Sequence, residues 1–110
     1  KNHKRAVEYY MLSAEQGNDN AQRNLGYMFA TGKGVLKDDK KALKWYLLSA
    51  EQGNAKAQNS VGNKYYQGKG TEKNYEEAVR WYKLAANQGH KDSKLVADKI
   101  IFDLEAEKTN

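Results

Sequence analysis

The sequence predicts an all-α solenoid built from a 36-residue helix-pair repeat, and three observations carry that prediction. The phrase SAEQGN, residues 13–18, returns unchanged at residues 49–54, and a looser copy, AANQGH, fills residues 85–90. Gly17, Gly53 and Gly89 therefore stand 36 residues apart, as do Ala6, Ala42 and Ala78, and Tyr10, Tyr46 and Tyr82. Between these fixed points the apolar residues follow helical spacing. A period of this size marks supersecondary units that bury their apolar faces by stacking on one another.

The chain opens inside a unit. His3–Gln16 reads as the second helix of a preceding pair, with Asn2 placed to cap its first turn. Asp19–Thr31 is the first helix of a full unit, with Ala21, Leu25, Met28 and Phe29 as its buried stripe. Gly26 lies in the middle of that helix, where glycine costs about 1 kcal/mol against alanine. Gly62 repeats it at the same phase, so two helix backbones are expected to approach closely there. The TGKG turn follows, its glycines read as positions of positive φ. Asp39–Gln52, capped by Asp38, is the second helix. Ala42, Tyr46, Ser49 and Ala50 form its stripe and Trp45 flanks it.

The next unit repeats the plan. Ala55–Gln67 carries Ala57, Val61, Lys64 and Tyr65 in its stripe. Lys64 breaks the apolar pattern and is expected to carry its amine out to water. Tyr75–Gln88 follows Asn74, which with Glu77 makes a capping-box pattern. The last segment, from His90, departs from the repeat. Asp98 replaces the helix glycine, no G-x-G turn follows, and Val96, Ala97, Ile100, Ile101 and Leu104 share one face. It reads as a long terminal helix that covers the last pair, since end units need a modified outer face. Leu95 and Phe102, seven apart, lie on the other side.

The phrases A-Q-x-x-L-G-x-x-x-x-x-G-x-G-V (Ala21 to Val35) and K-A-x-x-W-Y-x-x-x-A-E-Q-G (Lys41 to Gly53) resemble the Sel-1-like repeat, a relative of the tetratricopeptide repeat. The resemblance extends over essentially the whole chain. It implies a right-handed α/α superhelix of antiparallel pairs with the first helices lining the concave side. In this division residues 1–18 are a leading second helix, 19–54 and 55–90 are repeats, and 91–110 are a capping helix. The first residue is Lys, so the chain reads as a segment of a longer protein. Its compartment is therefore left open.

Composition excludes several chemistries. With 0 cysteines there is no disulfide, zinc–thiolate or cysteine nucleophile. No apolar run is long enough to span a membrane, and no helix pairs an open apolar face with a basic border. The net charge of +5 is spread over loop and first-turn lysines interleaved with Asp38, Asp39 and Glu72. That is a solvated surface, not the aromatic-and-basic groove of a nucleic-acid binder. TGKG is not a phosphate loop, because five residues rather than four separate Gly26 from Gly32 and Gly34 follows Lys33. The pairs Asp38–Asp39 and Glu76–Glu77 open helices, where negative charge complements the dipole. His90 takes the slot of Asn18 and Asn54 and reads as a cap. No enzyme, cofactor or metal site is expected.

The resemblance implies a scaffold or adaptor that binds a protein or peptide segment on its concave face. The groove-facing slots hold Asn20, Arg23, Tyr27, Ala30 and Thr31, then Lys56, Asn59, Asn63, Tyr66 and Gln67, and on the closing helix Asp92, Leu95, Lys99 and Phe102. Arg23, Lys56 and Lys99 favour an acidic partner, while Asn59 and Asn63 suit a peptide backbone. The alternative is a hydrolase or enzyme-regulatory module like the β-lactam-binding, cysteine-rich branch of the family, with His90 or Ser93 as its test positions. That branch's cysteines have no counterpart here. A third reading is self-association through Leu95 and Phe102.

Overall fold

The computed structural model describes residues 2–109. Among them are six helices: α1 (His3–Glu15), α2 (Asp19–Thr31), α3 (Asp39–Glu51), α4 (Ala55–Gln67), α5 (Tyr75–Asn87) and α6 (Lys91–Lys108). No strand is present among the described residues. Each helix packs chiefly on its neighbours in sequence, and the stack measures 52 × 26 × 22 Å. That is an all-α helical-repeat fold. The second helices end one residue earlier than expected, with Gln16, Gln52 and Gln88 as their C-caps.

The SAEQGN joint follows from its residues. Gly17 has φ 95° and its amide donates to Ala14, while the Asn18 amide reaches back to Ser13. This paired closure stops the helix and satisfies two orphan carbonyls. Asn18 then accepts from the Ala21 amide at 2.9 Å and starts α2. Asn54 does the same for Ala57 at 3.0 Å. Gln52 and Gln88 are exposed, yet each also bonds specifically to the preceding unit. Gln52 Nε2 donates to the Gly17 carbonyl at 2.9 Å and to Gln22 Oε1 at 2.8 Å. Gln22 in turn donates to the Ala14 carbonyl, in a buried contact. Gln88, Gln58, Gly53 and Ala50 repeat the chain of bonds one unit on. The amides thus tie each joint to the previous one, and the buried Gln22 and Gln58 satisfy the Ala14 and Ala50 carbonyls.

The capping box also forms only in part. Asn74 accepts from the Glu77 amide at 2.9 Å. Its own amide goes to the Tyr65 carbonyl, and the Glu77 carboxylate is taken by Arg80 at 2.7 Å.

Two close approaches set the spacing of the stack. A Cβ on Gly26 would sit 2.8 Å from Tyr46 Cδ1, and one on Gly62 would sit 2.7 Å from Tyr82 Cδ1. The mid-helix glycines are seats for the tyrosine rings of the paired helix; the close approach expected there is by a ring, not by a second backbone. In the turns, Gly34 and Gly70 have φ 75° and 80°. A side chain there would also run into the His3 or Asp39 carbonyl. Each turn is therefore pressed on the first turn of the preceding second helix.

The core reaches across units. Trp81, on α5, is buried with the cluster formed by α1–α4, whereas its neighbours Ala78, Val79 and Tyr82 pack with Ala97 and Ile100. Trp45 is partly buried against the same first cluster. On α6, Ala97 and Ile100 are buried and Val96, Ile101 and Leu104 partly so. Asp98 takes the slot of the seat glycines and pairs with Lys94 at 2.8 Å. This face of α6 is polar cover, not a seat for another ring.

Candidate functional site

Two gaps open beside successive first helices, and three repeat slots are common to both: those of Ala30, Lys64 and Gln67 in the first and Tyr66, Ile100 and Asp103 in the second. The first, about 260 Å³, lies between α2 and α4 and includes Tyr27, Ala30 and Thr31 from one side and Asn63, Lys64 and Gln67 from the other. Tyr46 and Ser60 complete its lining. The second, about 140 Å³, lies where α4, α5 and α6 meet and is lined by Tyr66, Tyr75, Ile100, Asp103, Leu104 and Glu107.

In the first gap several lining groups are already engaged in hydrogen bonds. Lys33 Nζ donates to the Tyr27 hydroxyl at 3.1 Å and lies 5.0 Å from the centre of its ring. The Tyr27 oxygen is thereby an acceptor, and its proton is free to donate. The Asn63 carbonyl oxygen accepts from the Tyr82 hydroxyl at 2.5 Å, so its amide N–H groups are what it has to offer. Thr31 and Ser60 spend their protons on the Tyr27 and Lys56 carbonyls. Burial pushes the Tyr46 phenol up to about 12, against the opposing effects of a Ser60 hydrogen bond and the Arg23 charge. It therefore remains a neutral hydroxyl at neutral pH.

Lys64 keeps its amine open to solvent, in line with the sequence reading. It is half-buried and lines the gap. Burial holds its amine below the ordinary lysine range, with the positive charges of Lys69 and Lys37 acting the same way and Asp39 opposing. It takes no part in the ion pairs found among the described residues. Arg23, one turn before Tyr27, is half-buried, and its Nε has no hydrogen-bond partner.

The residues named from the sequence fall into distinct settings. Tyr27, Ala30, Thr31, Asn63 and Gln67 share the first gap, and Tyr66 lies against Tyr75 in the second, their ring centres 5.3 Å apart and their planes tilted by 35°. Asn20 is tied to the amide of Asn54 at 3.0 Å. Asn59 accepts from Ser93 at 2.7 Å, so that oxygen is engaged inside the fold. Lys56 and Asp92 are exposed on α4 and α6. Lys99 is held by Asp103 at 2.9 Å, which neutralises the charge expected to attract a partner. Leu95 and Phe102 are each 68% exposed and line neither gap. Tyr46, Ser60 and Lys64 were missed as lining residues. The signal for Lys64 was present, since Met28 and Ile100 occupy its slot in the other copies.

Ser93 and His90 do meet, with Oγ 2.8 Å from Nδ1. The arrangement is a helix cap. His90 Nδ1 accepts from the Ser93 amide at 3.3 Å, and the hydroxyl goes to Asn59. Ser93 is 0% exposed, so no substrate reaches it. No helix among the described residues is long and apolar enough to cross a membrane.

A stack of helix pairs held by ring-on-glycine seats, with its variable polar residues gathered between the first helices, defines a helical-repeat interaction module. The chain belongs to the Sel1 repeat family, whose model matches residues 1–18, 19–54 and 55–90. Such repeats are generally non-catalytic modules for protein–protein interaction. Among solved structures, the chain is similar to a Sel1 repeat protein from Oxalobacter formigenes, with 42% identity and a TM-score of 0.81 over 84% of this chain and 37% of that one. It is also similar to c5321, a protective antigen of uropathogenic Escherichia coli with an SLR fold. There the identity is 41% and the TM-score 0.81, over 82% of this chain and 19% of that one. Cysteine rich protein B of Helicobacter pylori matches at 30% identity and a TM-score of 0.78, over 82% of this chain and 68% of that one. The chain thus spans well under half the length of the first two. No curated protein matches it.

Proposed function

We propose that this chain is a non-catalytic binding module that holds a segment of another protein on its concave face. The observation that carries this reading is the gap between α2 and α4, where Tyr27, Thr31, Asn63 and Gln67 converge although the repeat does not conserve their identities between units. Buried slots repeat closely because packing constrains them. Slots that vary while facing one groove are free to serve recognition. The buried cap formed by Ser93 and His90 favours a non-catalytic role over a hydrolytic one. An acidic partner is favoured by Arg23, Lys33 and Lys64 on the side of the first gap, with Lys56 exposed on α4.

Exchanging Arg23, Asn63 and Tyr66 together for alanine is expected to abolish capture of a partner by the immobilised protein while leaving far-ultraviolet circular dichroism unchanged. A partner retained by the triple variant would place binding elsewhere. Self-association is a second reading, favoured by the exposure of Leu95 and Phe102 on one face of α6. It is expected to give a mass above the monomer in light scattering at high concentration, lost in Phe102→Ser. A monomeric mass throughout would count against it.

A further inference from the structure

Each second helix uses the same side chains to hold its first helix. On α3, Tyr46 lies over Gly26 of α2, the Ser49 hydroxyl donates to the Asp19 carbonyl at 2.8 Å, and Gln52 donates to Gln22 at 2.8 Å. On α5, Tyr82 lies over Gly62, and Gln88 donates to Gln58 at 3.0 Å. α1 is also a second helix, and it carries the full set at the same offset, as Tyr10, Ser13 and Gln16. Among the described residues no first helix precedes it. Ala42, Tyr46 and Ser49 are buried, whereas their counterparts Ala6, Tyr10 and Ser13 are only half-buried. Tyr9 is 69% exposed, in the slot where Trp81 is 6% exposed. Val7 and Ala14 are nevertheless buried in the cluster shared with α2. α1 is therefore set firmly in the stack with one equipped face left open.

The other end of the stack is built differently. α6 is a first-type helix, so in a second copy it could in principle cover this face. It presents Lys94 in the slot of Gln22 and Asp98 in the slot of Gly26, paired at 2.8 Å. Even a methyl group on Gly26 or Gly62 would stand 2.8 or 2.7 Å from the tyrosine ring, so a carboxylate does not fit beneath Tyr10. Covering the pair would also strip two charges of water, a cost of several kcal/mol per ion in a protein interior.

We propose that the Ala6–Tyr10–Ser13 face of α1 is a docking surface for a helix of the α2 and α4 type, carried upstream in the same polypeptide as α2 is upstream of α3, and that Asp98 keeps a second copy off it. The chemistry of that helix follows from the pairs already formed. It has glycine facing Tyr10, glutamine four residues before the glycine to meet Gln16, and a backbone carbonyl seven residues before it for Ser13, as Gly26, Gln22 and Asp19 provide for α3. The inference is independent of the concave-face reading.

The test joins a second copy of residues 19–36 ahead of Lys1 in the whole chain, so that Lys1 and Asn2 take the places of Lys37 and Asp38. Relative to the parent, the urea midpoint is expected to rise and the slope to steepen, because more surface is buried on folding. Exchange of the α1 amides is expected to slow. Tyr10→Ala is expected to lower the midpoint of the extended chain by more than that of the parent, since only the extended chain seats the ring. Gly26→Asp made in the added copy alone is expected to erase the gain. Tyr27→Asp in the added copy, at a position exposed in α2, is expected to keep it. A copy of residues 55–72 serves if the first extension does not fold.

Midpoints and α1 exchange left at the parent's values by both extensions would overturn the docking surface. So would an equal cost of Tyr10→Ala in the two chains. A gain that survives Gly26→Asp would overturn the role given to Asp98. Light scattering of the parent at high concentration is expected to show no association that Tyr10→Ala abolishes. Such an association would give the face to a second copy and overturn the upstream occupant.

Discussion

Replacing Trp81 with alanine is expected to destabilise the protein by about 3–5 kcal/mol, the range for truncating a buried large aromatic. Trp81 is only 6% exposed, and it belongs to α5 in sequence but to the α1–α4 cluster in space. Its loss empties the junction between two units as well as one pocket. Each unit of a solenoid contacts only its neighbours, so weakening one junction also lowers the cooperativity of the array. Urea titration of Trp81→Ala is expected to show an earlier midpoint and a shallower slope. A cost below about 1 kcal/mol would mean that the helices slide together and close the cavity. Trp81→Phe is the useful partner, because Trp81 Nε1 is buried without an acceptor. Removing that N–H leaves no group unpaired, so the phenylalanine variant is expected to keep well over half of the lost stability.

Gly62→Ala is expected to destabilise by about 2–3 kcal/mol, within the range for overpacking a filled core. Helix propensity alone points the other way, with alanine favoured by about 1 kcal/mol at a mid-helix position. The structure decides the sign. The new methyl would stand 2.7 Å from Tyr82 Cδ1 and Cε1 and 3.0 Å from Cζ, so it meets the flat of the ring. Tyr82 is 1% exposed, and its hydroxyl is fixed on Asn63. With no room to turn away, the ring forces α4 and α5 apart. Thermal melts of Gly62→Ala and of Gly17→Ala separate the effects, since Gly17 has nothing within 4 Å and suffers only its φ of 95°. A Gly62→Ala protein as stable as the parent would show that the ring is not held. The displaced Asn63 also lines the candidate groove, so the substitution is expected to weaken binding there.

The period made most of the fold readable. Once Gly17, Gly53 and Gly89 set the register, Asn2, Asp38 and Asn74 were placed as caps by their offset alone, and each accepts from the amide three residues on. Local chemistry of this kind needs no knowledge of the neighbouring unit. The inter-unit bonds of the joint glutamines could not be read in the same way. Gln52 bonds to a residue 35 positions earlier and Gln88 likewise. On its own helix a glutamine in the last turn reads only as solvated. Lys64 was noticed as a break in an apolar stripe, yet its destination depended on α2, across the groove. Lys99 was named for its charge alone, whereas in the structure it pairs with Asp103 one turn away.

By itself the sequence determined the repeat, the helices, their caps, the glycine stops and the close approach at Gly26 and Gly62. These follow from spacing and backbone conformation, which act over a few residues or recur at a fixed period. Tertiary structure decided which polar groups are spent and which remain available. Whether Asn59 can contact a partner, whether Lys64 reaches water and whether Ser93 can be a nucleophile all depend on what another helix places beside them. Hydrogen-bond and charge compensation are properties of pairs brought together by folding. The joint could therefore be read within one unit, while the groove had to be read across two.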